Sequence, residues 1–399
     1  MTDAHDGYGR PANGGEIERA GALLAESFAI PPAHIGPWFD YTGRENIRVF
    51  RKAGSVAGAL LLVPMGQFWG GRSVRLCGFA GVGVAPWERG HRVATQMMAE
   101  ALRELRHDGW PLAALYPSTQ PLYRRVGFEQ AGSRFEIRGP LSALPCGDRD
   151  LPMRPFTPAE LPAVQRTYSD VARGRPGWLD RGGYVWHRVQ NPRPIGQPSA
   201  VAAYGYICGE PGAVEGYAFL TRVPKPAFRP DVLVTDLVAR SARGARRLLT
   251  FLSDQASISE DVSWFSGGAE PLLLLLREQA FDVHAVWAWM LRLVHVEQAI
   301  AARGYLPGLA ASLEIDLVDE LFADNAGRWI LEISGGEGRA RRGGSGKLRC
   351  DARALASMYS GFRNASALSA LGIVQGPPEA LSAADAIFAG PAPSMPDMF

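Results

Sequence analysis

Apolar residues recur at helical spacing between Glu16 and Phe28, with Ile17, Ala20, Leu23, Leu24 and Phe28 on one face, which predicts an amphipathic helix. Apolar runs bounded by turn-forming residues then predict strands at Ile47–Arg51, Ser55–Pro64, Val74–Ala85 and Leu112–Tyr116. Helices fit Arg92–Arg106 and Gln120–Val126, and a strand near Phe135–Arg138 is expected to close this unit before Pro140. Leu141–Asp150, with Pro145, Gly147 and three charges, reads as a linker.

A second unit follows with the same alternation. A helix is predicted over Pro158–Ala172, then strands at Ala200–Cys208, Ala213–Thr221 and Val232–Ala239. A helix at Arg243–Gln255, a strand at Val262–Ser266, a helix at Pro271–Gln279 and a strand at Trp287–Val294 complete it. Ser241-Ala242-Arg243-Gly244-Ala245 stands where a phosphate loop could sit, but no Ser…Tyr segment follows, so this unit reads as a degenerate copy of the first. A third unit opens with a helix ending near Ala302 and continues with strands at Ala311–Leu317 and Gly327–Ser334, joined by the hairpin turn Asp324-Asn325-Ala326-Gly327. Gly335–Gly346 is expected to be a mobile hairpin connection, because no strand-to-helix context surrounds its glycines. Lys347–Cys350, Asp351–Ser360, Ser366–Leu371 and a last helix at Ala380–Phe388 follow.

With 399 residues, the chain has room for two or three domains with substantial cores. Its formal charge of +2 gives no global nucleic-acid-binding surface. Cys77, Cys146, Cys208 and Cys350 are far apart and lack metal-ligand spacing, so reduced thiols, no metal and a cytoplasmic protein are expected. The N-terminal stretch lacks the apolar core of a signal peptide. The longest leucine run, Leu272–Leu276, is too short to span a bilayer and reads as the buried face of a helix.

The chemistry is concentrated in Val82–Ala94, where a buried strand, a basic turn and a helix start follow one another. That order gathers free backbone N–H groups and the positive end of a helix dipole, a combination that binds phosphate. Arg89, His91 and Arg92 would add side-chain charge. The second element is the apolar strand Leu112–Leu115 leading through Ser118 to a short helix containing Tyr123, and then Gly127-Phe128.

Together these segments resemble the acyl-CoA-binding core of the GNAT acetyltransferases, whose pyrophosphate loop follows Gln/Arg-x-x-Gly-x-Gly/Ala. Arg89 fills the first position and Ala94 the last, while Arg92 replaces the middle glycine. If that position is left-handed, arginine costs about 1–2 kcal/mol more than glycine, which pairing with a phosphate could offset. The three units in this order resemble the Eis (enhanced intracellular survival) family. Local matches also lie at Met290–Tyr305, Met358-Tyr359-Ser360-Gly361 and Met395–Phe399. The resemblance implies an α/β (α+β) chain with two tandem GNAT-type mixed-sheet domains at 1–140 and 141–290. A small sterol carrier protein-like α+β domain at 291–399 sends its tail back to the active site.

The resemblance further implies an acetyl-CoA-dependent N-acetyltransferase. A primary amine (amino sugar or aminoglycoside, polyamine, or lysine side chain) would attack the thioester directly through a tetrahedral intermediate. Tyr123 would be the acid and the carboxylate of Phe399 the base. Val82, Gly83 and Val84 would bind the pantetheine arm through their backbone. Arg89, Gly90, His91, Arg92, Val93 and Ala94 would hold the pyrophosphate, and Ser118 would line the cleft. Glu26, Phe28, Trp38 and Phe39 would form the acceptor pocket, and Asp397 would recruit a cationic amine. A homo-oligomer, often a hexamer, is also implied, with no nucleic-acid or membrane partner. The competing reading is a lipid- or small-molecule-binding protein that uses the sterol carrier-like domain, with a non-catalytic GNAT scaffold.

Overall fold

A computed structural model describes residues 6–192, 201–226 and 229–399. The first region contains β1 (Gly7–Gly9), α1 (Gly14–Phe28), α2 (Ile35–Thr42), β2 (Ile47–Lys52), β3 (Ser55–Trp69) and β4 (Arg72–Val84). It continues with α3 (Val93–His107), β5 (Leu112–Leu115), α4 (Gln120–Arg124) and β6 (Glu129–Pro140). The middle region runs through β7 (Met153–Pro155), α5 (Leu161–Ala172), β8 (Leu179–Asp180), α6 (Gly183–Gln190), β9 (Tyr204–Cys208) and β10 (Gly216–Val223). It ends with β11 (Asp231–Ala239), α7 (Ala242–Ser253), β12 (Asp261–Ser266) and β13 (Asp282–Leu293). The last region comprises α8 (Val296–Ala302), β14 (Ala311–Val318), β15 (Gly327–Ser334), β16 (Glu337–Arg342) and β17 (Leu348–Asp351). Helices α9 (Ala352–Tyr359), α10 (Ala365–Ala370) and α11 (Pro378–Ile387) follow.

The first two regions share one mixed sheet, in the order β1-β2-β3-β4-β5-β13-β6-β12-β11-β10-β9-β7. Its centre is an exchange. β13, the last strand of the middle region, fits between β5 and β6 of the first, pairing Met290 with Leu115 and Trp289 with Gly132. β6 in turn pairs with β12, Ile137 opposite Trp264. The strand expected at Phe135–Arg138 therefore does not close the first unit but ties it to the second. β13 is buried continuously from Trp289 to Leu293, as a strand covered on both faces is, and Ile137, Trp289 and Leu291 are buried completely.

The last region forms its own four-stranded sheet, β16-β15-β14-β17. Leu313, Ile315, Leu331 and Ile333 alternate onto its inner face and pack with Leu355, Met358 and Ile387. Trp69 belongs to the same core, and its carbonyl accepts from the Gly304 N–H, so this domain is joined to the first region.

Three expectations are corrected. Pro271–Leu275 forms a single tight turn in place of the helix Pro271–Gln279. Proline starts it, but too few residues follow in register, and Leu274 is 87% exposed. The leucine run is therefore not a buried helical face. Gly335–Gly346 contains β16, because Gly338 and Ala340 face inward while charged residues alternate outward along an available edge of β15. The strand predicted at Ala200–Cys208 begins outside the described residues and is present from Tyr204. At Ser241 the side chain caps α7 by accepting from the Gly244 N–H at 3.0 Å, and the Glu215 carbonyl crowds the same turn.

Candidate active site

β4 and β5 run parallel only as far as the pair Phe79–Leu115. β5 stops there because Tyr116 leads into Pro117, which has no N–H with which to extend a ladder. β4 continues to Val84, held on its other edge by β3 through the pair Val84–Gly58. One edge of residues 80–84 is thus left without its β5 partner. Ala80, Gly81 and Val82 line a cavity of about 1050 Å³ there, while Gly83 and Val84 continue the same edge behind α1. Such an edge accepts an extended, amide-bearing chain in the way it would accept a strand.

Beyond β4 the chain turns sharply into α3. Gly90 has φ +85°, and Arg92 has φ +63° and ψ +11°. Arginine therefore does occupy the left-handed conformation, at a cost of about 1–2 kcal/mol. The first α-helical bond of α3 runs from the Gln96 N–H to the Arg92 carbonyl, so the N–H groups of Val93, Ala94 and Thr95 precede it. No side chain caps them among the described residues. Arg89, His91 and Arg92 are exposed around this helix start. His91 lies 3.3 Å from Glu88, which also pairs with Lys52, whereas Arg89 and Arg92 have no ion-pair partner among the described residues.

Tyr123, on α4, is buried, with its ring edge-on to Phe128, and it lines the same cavity with Ser118. Burial pushes its phenol above the ordinary range, and the neighbouring Ser118 side chain draws it part of the way back. The hydroxyl stays protonated at neutral pH.

The C-terminal tail enters this cavity from the opposite side. Its Ser394 N–H donates to the Pro176 carbonyl at 3.0 Å, and the Pro393 carbonyl accepts from Ser133. Tyr116 donates its hydroxyl to the Asp397 carbonyl at 2.7 Å, and Arg134 donates Nε to the Pro396 carbonyl at 2.9 Å. Met395 is fully buried, and the Phe399 ring packs on Tyr116 with centroids 5.8 Å apart. Gly78 admits that ring, since a Cβ there would lie 2.6 Å from it. Pro396, Asp397, Met398 and Phe399 all line the cavity.

Arg181 is the buried centre of this arrangement. Its guanidinium bridges Asp236 at 2.5 Å and Asp397 at 2.7 Å and lies over the Tyr168 ring. Tyr217 donates its hydroxyl to Asp236 at 2.7 Å, while the Tyr168 hydroxyl donates to the Leu179 carbonyl at 2.8 Å and lies 3.3 Å from Asp397. Burial raises the Asp397 carboxyl above its ordinary value against the pull of Arg181, and Asp236, sharing the same guanidinium, pushes in the same direction as burial.

Not every expected residue reaches the cavity. Phe28 and Trp38 line it, and the Trp38 indole N–H donates to the Tyr184 hydroxyl at 2.9 Å. Glu26 is exposed on the outer face of α1 and does not line the cavity. Phe39 is buried against Gly21 in the helix-packing core. Asp397 lines the cavity, but its carboxylate is engaged by Arg181, so it is not free to recruit an amine. Arg134, Glu136 and Arg138 also line the cavity and were missed. Their i, i+2, i+4 spacing on β6 was a legible signal, because it puts three charges on one face of a strand. Tyr184 and Arg188 of α6 carried no such signal. Among the described residues, no group of three or more His, Cys, Asp or Glu is placed to hold a metal ion, and no helix is long and apolar enough to cross a membrane.

Residues 9–131 and 177–293 each match an acetyltransferase (GNAT) domain family, and residues 296–396 match a sterol carrier protein domain. An uncharacterized N-acetyltransferase of Streptomyces coelicolor is 30% identical over 77% of this chain and 76% of its own length. The chain belongs to the Eis-like GNAT N-acetyltransferases. The N-acetyltransferase Eis of Mycobacterium tuberculosis is 28% identical over 73% of this chain and 72% of its own. The crystal structure of a GCN5-related N-acetyltransferase from Anabaena variabilis superposes with a TM-score of 0.93 at 33% identity, covering 98% of this chain and 99% of that one. The protein is therefore an acetyltransferase enzyme, and GNAT domains of this kind take acetyl-CoA as co-substrate and act on amine acceptors. The donor set fits acetyl-CoA: an unpartnered strand edge for amide groups, and a basic helix start for phosphates. The comparisons give no support to the lipid-binding alternative.

Proposed function

We propose that this enzyme acetylates a primary amine by direct attack on the thioester of acetyl-CoA, with Tyr123 as acid and the Phe399 carboxylate as base. One observation carries the reading: Tyr123, Ser118, the open end of β4 and the buried C-terminal tail all line a single cavity. The amine nitrogen forms a bond to the acetyl carbon through a tetrahedral intermediate, and the carbon–sulfur bond breaks. The amine proton passes to the carboxylate of Phe399, and the departing sulfur takes a proton from the Tyr123 hydroxyl. Such positioned proton transfers contribute about 10²–10⁴-fold each. Val82, Gly83 and Val84 bind the pantetheine arm through the backbone. Arg89 to Ala94 hold the pyrophosphate, and pairing of Arg92 with it offsets the cost of its left-handed backbone. The acceptor enters past Phe28 and Trp38, and an amino sugar, a polyamine and a lysine side chain are its candidate classes. The family resemblance extends the reading to a cytoplasmic homo-oligomer, a hexamer being the first state to test by sedimentation.

The test is calorimetric titration of the protein with acetyl-CoA, beside a variant extended by several residues after Phe399. Both forms are expected to bind acetyl-CoA with similar affinity, and only the extended form to lose acetyl transfer across an amine panel. Full turnover by the extended form would remove the carboxylate of Phe399 from the mechanism.

A further inference from the structure

The acceptor half of the cavity is rich in charge, and much of that charge is internally matched. Asp231 and Asp261 pair with Arg138 and Lys225, and Asp397 with Arg181, while Glu136 lies 3.4 Å from His284, an ion pair only when that imidazole is protonated, and adds its charge to that of Asp397 at Arg134. Two cations of the lining make no ion pair among the described residues. Arg134 is nine-tenths buried, its guanidinium lies 3.4 Å over the Phe265 ring, and its Nε is used by the Pro396 carbonyl. Neither of its terminal nitrogens has an ion-pair partner among the described residues. Arg188, on α6, lines the same cavity, also without a carboxylate partner, and lies close enough for its charge to act on Arg134. A buried guanidinium is ordinarily paired. Here the apolar ring and the single tail carbonyl orient it at the cavity wall and leave its two terminal nitrogens without a hydrogen bond among the described residues; such a planar fork grips a carboxylate or phosphate through two hydrogen bonds.

We propose that Arg134 and Arg188 form an anion subsite, so that the preferred acceptor is a primary amine that also carries a carboxylate or phosphate group. The proposal rests on the acetyl-transfer reading and deepens it. The anion sits on the two arginines, and the amine of the same molecule points back toward the thioester and the carboxylate of Phe399. Because Arg134 also holds Pro396, it connects acceptor binding to the tail that carries the base.

Matched acceptors test this: 4-aminobutyrate against its uncharged amide and against putrescine, and phosphoethanolamine against ethanolamine. Acetyl transfer is followed by CoA release, and binding is measured separately by calorimetry in the presence of CoA. The acid is expected to exceed its amide at least tenfold in kcat/KM and in affinity, with putrescine poorest. Arg188→Gln should bring the acid-to-amide ratio to within about twofold, and Arg188→Glu should reverse the order in favour of putrescine. A larger ratio for the phosphate pair identifies phosphate as the anion, and a larger ratio for the carboxylate pair identifies carboxylate. A wild-type preference for the amide or the diamine overturns the subsite, as does an Arg188→Gln variant that lowers every acceptor equally. If no amine is acetylated, the catalytic reading fails. In that case the calorimetric preference for acid over amide still decides the subsite, supporting it if present and overturning it if absent.

Discussion

Arg181→Met is the most searching perturbation of the tail, because one guanidinium serves two buried carboxylates. Removing it leaves Asp236 and Asp397 without an ion-pair partner among the described residues, at sites whose side chains are 3% exposed. Stranding a buried charge in this way costs about 3–5 kcal/mol. Asp236 cannot escape, since it lies within β11, and among the described residues it keeps the Tyr217 hydroxyl at 2.7 Å as side-chain partner. Asp397 can escape by release of the last residues into water. A penalty of about 3 kcal/mol on its side shifts docking of the chain end by roughly a hundredfold. Since the carboxylate two residues on is the proposed base, kcat should fall about 10–100-fold. The KM for acetyl-CoA should hold, because Arg181 bonds none of the residues proposed to hold acetyl-CoA. CoA release at saturating substrate gives kcat, and carboxypeptidase release of Phe399 reports docking directly. Arg181→Lys keeps the charge but cannot bridge both carboxylates through a fork, and should fall between the two. A kcat within twofold of wild type, with Phe399 still protected in Arg181→Met, would refute the assignment of Arg181 as the residue that positions the tail.

Two further outcomes are expected. Tyr123→Phe should lower kcat at least a hundredfold while leaving acetyl-CoA affinity within about twofold. Because burial raises this phenol, the wild-type profile should show no loss of activity from its ionisation up to about pH 10, and a falling limb near pH 9 that vanishes in Tyr123→Phe would contradict the environment described. Arg92→Gly should stabilise the protein by about 1 kcal/mol in thermal unfolding by relieving the left-handed backbone. It should also weaken acetyl-CoA binding several-fold, and unchanged affinity would show that the guanidinium makes no phosphate contact.

The elements governed by short-range pattern were legible in the sequence. α1, α3, β4 and β5 follow from apolar periodicity, whereas Tyr123 and the question of a left-handed Arg92 came from the family resemblance. What the sequence hid depends on contacts distant along the chain. Asp397 looked like a free recruiting carboxylate because nothing near it in sequence announces Arg181. Glu26 and Phe39 were assigned to the pocket although helical phase turns one outward and the other into the core. The partner of β6 could not be read, because nothing local in β12 or β13 specifies which strand each will pair with, and both lie more than a hundred residues away along the chain.

The exchange of β6 and β13 also sets an order of events during synthesis. When the first region leaves the ribosome it has a vacancy beside β5, and the strand that fills it is encoded only at residues 290–293. Until then β5 and β6 present unpaired edges, which invite association with other chains. Closing them requires contacts of very high sequence separation, the slowest kind to form. The cavity lined by Tyr116, Ser118 and Tyr123 lies next to that vacancy, so a nascent chain has no finished cavity until the middle region is complete. The tail is translated later still, so under the proposed mechanism acetyl transfer also waits for Phe399 to reach the cavity.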